Sequence, residues 1–214
     1  MRVDFHVHSS ASKDSAALPE QLIRAARRKG LGRIVITDHN TTTGAVAAWK
    51  LDPEMVIVGE EIMTTQGEIL ASFVTQEIPR GLTPRETIQR LRDQGAFISV
   101  SHPFDSWRNG AWHEQDLLEI LPLVDAIEVF NARCLQSTPN DRAQQFAKEF
   151  NLPGTAGSDG HAAFELGRGS LEIAHFLDAD GLGQAIRDAR IIGRLSPWWV
   201  HFFSRIATLR KKVV

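Results

Sequence analysis

Short apolar runs that alternate with helical patterns constrain this chain most, because a β-α-β-α rhythm can bury both kinds of element only as a largely parallel sheet covered by helices. The runs are Val3 to Val7, Arg33 to Thr37, Met55 to Val58, Ala96 to Val100, Ala126 to Phe130 and Gly154 to Gly157. Helical spacing fills the gaps over Pro19 to Lys29, Thr42 to Lys50, Pro84 to Gln94, Glu114 to Ile120 and Thr138 to Phe150. Pro19 and Pro84 stand where a first helical turn tolerates proline, and Gly30 and Gly95 stand where helices stop. The rhythm breaks at Ile62 to Thr75, where Gln66-Gly67 between two β-rich runs predicts a hairpin extending the third strand. A further strand is expected over Gly169 to Phe176 and a further helix over Asp180 to Arg190. No linker, repeat or low-complexity stretch interrupts the chain.

At 214 residues the chain is short for an eight-stranded α/β barrel, which takes about 250. A single-domain, TIM-barrel-like fold with seven strands fits the length. The expected layout is one domain over residues 1–197, followed by a helix over residues 198–214. That last stretch mixes Trp198, Trp199, Phe202, Phe203 and Ile206 with Arg205, Arg210, Lys211 and Lys212. It reads either as a membrane-surface helix or as a terminal helix packing its aromatic face on the domain with a solvated basic end. The second reading is adopted. No apolar run approaches the roughly 18 residues of a membrane span, and Arg2-Val3-Asp4 begins a strand, so no membrane partner and a cytoplasmic location are expected.

In such folds the chemistry gathers at the C-terminal ends of the strands. There the first run places His6 and His8, at i and i+2 on one side of a strand. The second ends in Thr37-Asp38-His39, the third in Gly59-Glu60-Glu61, the fourth in Ser101-His102, the fifth in Glu128-Val129-Phe130-Asn131 and the sixth in Ser158-Asp159-Gly160-His161. Each alone reads equally as a capped turn. Together, this many imidazoles and carboxylates at one mouth would repel one another and be poorly solvated unless cations were shared among them. The balance of 24 Lys and Arg against 26 Asp and Glu excludes a broad cationic nucleic-acid surface, and the single Cys134 excludes a thiolate-rich zinc site.

The motifs HVH, a Ser-rich loop with Asp14, TDHN, GEEI, SHPF, EVFNAR and GSDGHAAFELG resemble the PHP (polymerase and histidinol phosphatase) family from about Asp4 to Gly169. The resemblance implies a distorted (β/α)7 barrel with two or three divalent ions. It implies His6, His8, Glu61 and Asp159 around the first, Glu61 and His102 at the second, and Asp14, His39 and His161 at the third. Asp14 and Asn131 replace histidines of some members, and Asn131 is the weaker donor, which implies either an open position on the second ion or a low occupancy of it. Glu61 fits the family pattern better than Glu60, whose side chain alternation turns away toward a structural salt bridge.

Carboxylate and imidazole donors without thiolate suit Mn, Zn or Fe. Bridged ions suit phosphoester hydrolysis by an activated water, with Asp159 accepting or relaying its proton. The expected activity is that of a metal-dependent phosphoric ester hydrolase acting on a small phosphorylated metabolite or nucleotide. Arg133 and Arg168 are candidates to grip phosphate oxygens, with Asn131 beside them on the substrate. Two alternatives are an exonuclease trimming short single-stranded ends, for which Trp107, Arg108 and Trp112 would flank the mouth, and a non-catalytic metal-binding regulatory module. Asp38 reads either as an acceptor orienting neighbouring ligands or as a turn cap. His113, His175 and His201 read as structural or exposed, and Cys134 lacks a partner for nucleophilic chemistry. Oligomeric state is open.

Overall fold

Nine strands form one continuous sheet in the computed structural model, which describes residues 1–212. The strands are β1 (Arg2–Val7), β2 (Arg33–Ile36), β3 (Val56–Met63), β4 (Glu68–Ser72), β5 (Phe97–Val100), β6 (Ala126–Asn131), β7 (Gly154–Gly157), β8 (Gly169–Glu172) and β9 (Arg190–Gly193). The helices are α1 (Pro19–Arg28), α2 (Thr43–Leu51), α3 (Pro84–Arg92), α4 (Glu114–Ile120), α5 (Thr138–Glu149), α6 (Ala179–Ala185) and α7 (Val200–Lys212). Residues 213–214, the end of the expected terminal helix, lie outside the described residues.

Strand order β7-β6-β5-β4-β3-β2-β1-β8-β9 explains the distortion. The pairs β1/β2, β2/β3, β5/β6 and β6/β7 are parallel, whereas β4 runs antiparallel to both β3 and β5. The hairpin expected at Gln66-Gly67 therefore supplies one of the seven strands that curl into the barrel. A parallel bridge between Val7 and Gly160 brings the two ends of this curl together. The strand β8 and the unexpected β9 form an antiparallel hairpin on the outer side of β1. All four residues of β9 are exposed, so the strand carries none of the burial pattern that marks the others.

Helix boundaries follow local chemistry. Pro84 opens α3 behind a Thr83 cap, whose hydroxyl accepts from Glu86 N–H at 3.3 Å while Glu86 accepts from Thr83 N–H at 3.0 Å. Gly30, at φ +68°, ends the turn after α1 in a conformation that a β-carbon would strain. Leu22, Ile23, Ala25 and Ala26 form the buried stripe of α1, packed on Ile34, Ile36 and Val56 of the sheet. No helix among the described residues is long and apolar enough to cross a membrane.

The terminal helix departs from expectation in part. Val200 and Ala207 are its buried residues, while Trp198, Trp199, Phe202, Phe203, Ile206 and Leu209 are all exposed. Helical spacing puts the small residues inward; of the aromatic ones, Trp199 and Phe203 pack against Phe164 at ring-centroid distances of 5.6 and 5.7 Å, while Trp198 and Phe202 turn outward, so only part of the aromatic face meets the domain.

Candidate metal centre

The mouth of the barrel collects the strand-end donors. His6 and His8 alternate to the same side of β1, and their Nε2 atoms lie 3.0 Å apart. Glu61 Oε2 is 3.3 Å from His6 Nε2, 3.4 Å from His8 Nε2 and 3.0 Å from His39 Nδ1. Asp159 Oδ1 is 3.7 Å from His6 Nε2 and 3.2 Å from His8 Nε2. The other oxygen of Glu61 faces His102 Nε2 at 3.1 Å. Asp14 Oδ2 lies 3.2 Å from His161 Nε2 and 3.5 Å from His39 Nε2. The eight residues proposed as ligands thus share one contiguous cluster.

Donors bound at about 2.0–2.2 Å to a tetrahedral ion lie about 3.3–3.6 Å apart, so these separations suit shared cations. The orphan atoms say the same. Glu61 Oε2, Asp159 Oδ1 and Asp14 Oδ1 are buried with no hydrogen-bond partner among the described residues, an arrangement that burial would otherwise penalise. Three groups of side chains bring their donor atoms close enough for one ion each: His6, His8 and Glu61; His8, His39 and His161; and His39, Glu61 and Glu68.

Supporting contacts fix the imidazoles. The acceptor-only carboxylate of Glu128 takes His6 Nδ1–H at 3.0 Å, leaving the Nε2 lone pair toward the centre. Ser12 Oγ donates to Asp38 Oδ1 at 2.7 Å and can therefore accept from His8 Nδ1–H at 3.1 Å, which sets the same tautomer. Asp38 also accepts from Ser9 N–H and Ser9 Oγ, so it orients a ligand and caps a turn at once. Backbone conformation contributes too: Asp159 at φ +51° and His102 at φ +21° sit in the left-handed region, a strain characteristic of functional sites. Gly157 is obligatory nearby, since a β-carbon there would come within 2.2 Å of the His6 Cβ.

Two glutamates were not anticipated as site residues. Glu68 opens β4 and faces Met63 across the hairpin, with Glu61 opposite Leu70. Period-2 alternation then places Glu68 on the same face as Glu61, 3.5 Å from His102 Nε2 and 3.8 Å from His39 Nδ1. The Gln66-Gly67 turn carries the signal, because it fixes the register that sets Glu68 opposite Met63. Glu128 lay within a strand-end motif, but its partner is 122 residues away.

Several expected roles change. Glu60 forms no salt bridge among the described residues; one oxygen accepts from Ile78 N–H at 3.0 Å, and burial pushes its carboxyl up to about 8. Asn131 joins neither an ion position nor an open mouth, because its amide donates to Glu128 and Asp159 and its oxygen accepts from Arg133 N–H. Arg133 is buried and bonds inward: to Glu165 at 3.1 Å, to the His161 ring at 2.8 Å, and to Val200 O and Ser204 Oγ of α7. Arg168 makes no ion pair with the ligands among the described residues, and the charges acting on it are those of Arg194 and Glu165. Trp112 is buried, with its indole N–H on Glu68 O, whereas Trp107 is exposed, so the two tryptophans do not flank the mouth together. Cys134 is buried and its thiol is pushed up by that burial.

The cation at the mouth is Arg108. Its guanidinium lies 2.5 Å from Asp159 Oδ2 and 3.1 Å from Asp105. Burial would raise the Asp159 carboxyl, but Arg108 and then His6 outweigh it and hold the group well below the carboxylate range. A base that acidic accepts protons poorly, so the resting structure favours Asp159 as a ligand over the proton acceptor first expected. A second cation braces the third ligand set: Lys211 Nζ of α7 donates to the carbonyls of Ser10, Ser12 and Ser15, gripping the loop that carries Asp14.

Two predictions follow from these contacts. Burial alone would lower His6, but Glu61, Asp159 and Glu128 outweigh it, and Glu61 and Asp14 do the same for His39, so both rings sit well above 6.5 and hold protons in the ion-free protein. Ion binding must displace those protons. Calorimetry in buffers of different ionisation enthalpy should show net proton release near neutral pH and an apparent affinity that weakens as pH falls; affinity independent of pH would refute this. Separately, Arg133→Met should act on stability, costing about 3 kcal/mol in urea unfolding because it strands buried Glu165. A rise in substrate KM without loss of stability would restore Arg133 to substrate binding.

Comparison with known proteins agrees with this geometry. The PHP domain pattern matches residues 4–70, and the PHP-associated pattern matches residues 137–191. An uncharacterised protein of Methanocaldococcus jannaschii shares 37% identity over 177 residues, covering 81% of this chain and 71% of the relative. The chain belongs to the PHP family. A second uncharacterised protein of the same organism is 36% identical over 145 residues. Among solved structures, a two-domain Bacteroides vulgatus protein containing a predicted PHP-like metal-dependent phosphoesterase has TM-score 0.74 at 21% identity, with 91% of this chain covered; the chain spans 65% of that protein's length. The Pyrococcus furiosus lesion-specific endonuclease EndoQ has TM-score 0.60 at 16% identity, with 89% of this chain and 58% of that one covered. These two share the fold. The PHP barrel, TIM-barrel-like and single-domain, is what the strand order describes.

Proposed function

We propose that this PHP protein is a metal-dependent phosphoesterase acting on a small phosphorylated metabolite or nucleotide. The observation that carries the reading is the convergence of the partnerless oxygens of Glu61 and Asp159, together with Asp14 Oδ2, among five histidines at the barrel mouth. On this reading His6, His8, Glu61 and Asp159 hold one divalent ion, Glu61, Glu68 and His102 a second, and Asp14, His39 and His161 a third. Bound there, divalent ions supply Lewis acidity toward phosphoryl oxygens and acidify water.

The chain's own residues do the rest. Glu128 and the Ser12-Asp38 pair hold His6 and His8 in the tautomer that presents Nε2. Asn131 donates to Asp159 Oδ2, leaving Oδ1 toward the centre. Arg108 shares that same Oδ2, and its planar fork can exchange from Asp159 onto a phosphate oxygen. When it does, Asp159 loses the cation that depresses it most and becomes a better proton acceptor.

The test is phosphate or p-nitrophenol release from mono- and diester substrates by the Mn-loaded protein. Arg108→Met should lower kcat/KM roughly thirtyfold, the loss of a hydrogen bond to a charged group, with bound metal retained. Metal-loaded protein inert toward phosphorylated metabolites, nucleotides and short oligonucleotides alike would overturn the reading.

A further inference from the structure

The outward face of α7 is a feature the metal centre does not use. Val200, Ala207 and Lys211 lie on the inner side, the first two buried and the third bonded to the Ser10 to Ser15 loop. Opposite them Phe202, Ile206 and Leu209 form an apolar stripe, 52%, 46% and 62% exposed, continued by Trp198 at 67%. At about 100° per residue, Arg205 and Arg210 fall about 70° to either side of that stripe. Nothing in the barrel covers it.

Charge identifies the occupant. Beyond Asp188 the chain has six Lys and Arg and no Asp or Glu, leaving 18 against 26 in the rest of the sequence. An apolar stripe with aromatic residues, bordered on both sides by arginines, matches a helix lying in the plane of a bilayer surface, where the rings enter the headgroup boundary and the guanidinium groups reach anionic lipids. A second copy docked through the same face would bring Arg205 and Arg210 against their own counterparts, which an isologous contact penalises. A nucleic-acid backbone would neutralise the arginines but leave the stripe between them in water.

We propose that α7 binds the surface of anionic membranes through this face. Its inner side grips the loop carrying Asp14, so the bound lipid surface would lie beside the mouth of the metal centre. Affinity then depends on both parts of the face: each arginine removed lowers partitioning roughly fivefold, and loss of the stripe removes what holds the helix at the boundary.

The test is co-sedimentation of the full chain with vesicles of phosphatidylcholine and phosphatidylglycerol in equal parts, against pure phosphatidylcholine vesicles. The expected result is sedimentation with the mixed vesicles, weakened by high salt and lost in Arg205→Glu/Arg210→Glu and in Phe202→Ser/Leu209→Ser. All four side chains are exposed, so both variants should keep the wild-type thermal transition and bound metal, which are measured in parallel. Two results would overturn the proposal: no preference of the wild type for the mixed vesicles, or a dimer in gel filtration that Phe202→Ser/Leu209→Ser splits into monomers, which would make the face a subunit interface.

Discussion

Glu61→Gln should abolish phosphoester hydrolysis, while the same change one residue earlier, Glu60→Gln, leaves it nearly untouched. Glu61 is fully buried, and its two oxygens face four imidazoles, three around Oε2 and His102 at Oε1. Glutamine keeps the volume and can still accept from Ser101 Oγ, which lies 2.7 Å from Oε1. It cannot supply a bridging anion. Metal content should fall by at least one ion per chain, and kcat/KM by about three powers of ten. Glu60 points the other way, and with its carboxyl pushed up to about 8 it is already largely neutral at pH 7, so glutamine reproduces its resting state. The linkage sign gives a second readout. A carboxyl raised above its ordinary 4.5 penalises the folded state progressively as pH rises toward 8. Glu60→Gln should remove that slope without changing stability below pH 4.5. Elemental analysis, a phosphate-release assay and urea titrations across pH separate the two variants. Wild-type metal content and activity in Glu61→Gln would remove the bridging role.

The contrast between these neighbours shows what was legible. Strand alternation, applied to Gly59-Glu60-Glu61, turned one glutamate inward and the other outward without any coordinates, and the same rule joined His6 to His8. It would have found Glu68 had the Gln66-Gly67 turn been read as fixing register as well as direction. Other contacts were beyond a local reading. Arg133 looked like a free strand-end cation because its partners, Glu165, His161 and the start of α7, are contributed by chain that only the barrel's closure brings near. In sequence Arg108 reads only as a flank for nucleic acid, since nothing local predicts that its loop folds onto Asp159. The α7 misreading has a different cause. Hydrophobicity marks an aromatic face without dividing it: Trp199 and Phe203 lean on Phe164, Trp198 and Phe202 turn outward, and the small residues Val200, Ser204 and Ala207 at helical spacing mark the packing side. β9 had no signal to find, because an exposed strand held by its hairpin partner shows no alternation.

Removing the ions should cost the fold a large part of its stability, and this is the most direct consequence of the charge arrangement. Asp14, Glu61 and Asp159 present partnerless buried oxygens at one mouth, and the ion-free protein compensates through the Arg108 guanidinium on Asp159 and through protons held on His6 and His39. His8 cannot help: burial first, then the charges of His161 and His39, lower it to about 4, so it stays neutral near pH 7. A ligand present at 1,000 times its dissociation constant and binding only the folded state contributes about 4 kcal/mol. For a chain of this size each kcal/mol moves the midpoint by about 2–4 °C, so chelation should lower Tm by about 8–16 °C and added Mn or Zn should restore it. The pH trend carries the sign check. His6 and His39, raised in the ion-free fold, stabilise that fold below their ordinary 6.5 and lose this contribution as pH rises through their folded values. The gap between loaded and chelated protein should therefore widen from pH 6 to pH 8. In His8→Ala the gap should shrink at every pH while the chelated protein still unfolds cooperatively, because the variant removes a ligand and no charge that the ion-free fold relies on. A chelated wild type that melts with the loaded protein at both pH values would mean that the cluster is held by its own protons and that the metal reading fails with it.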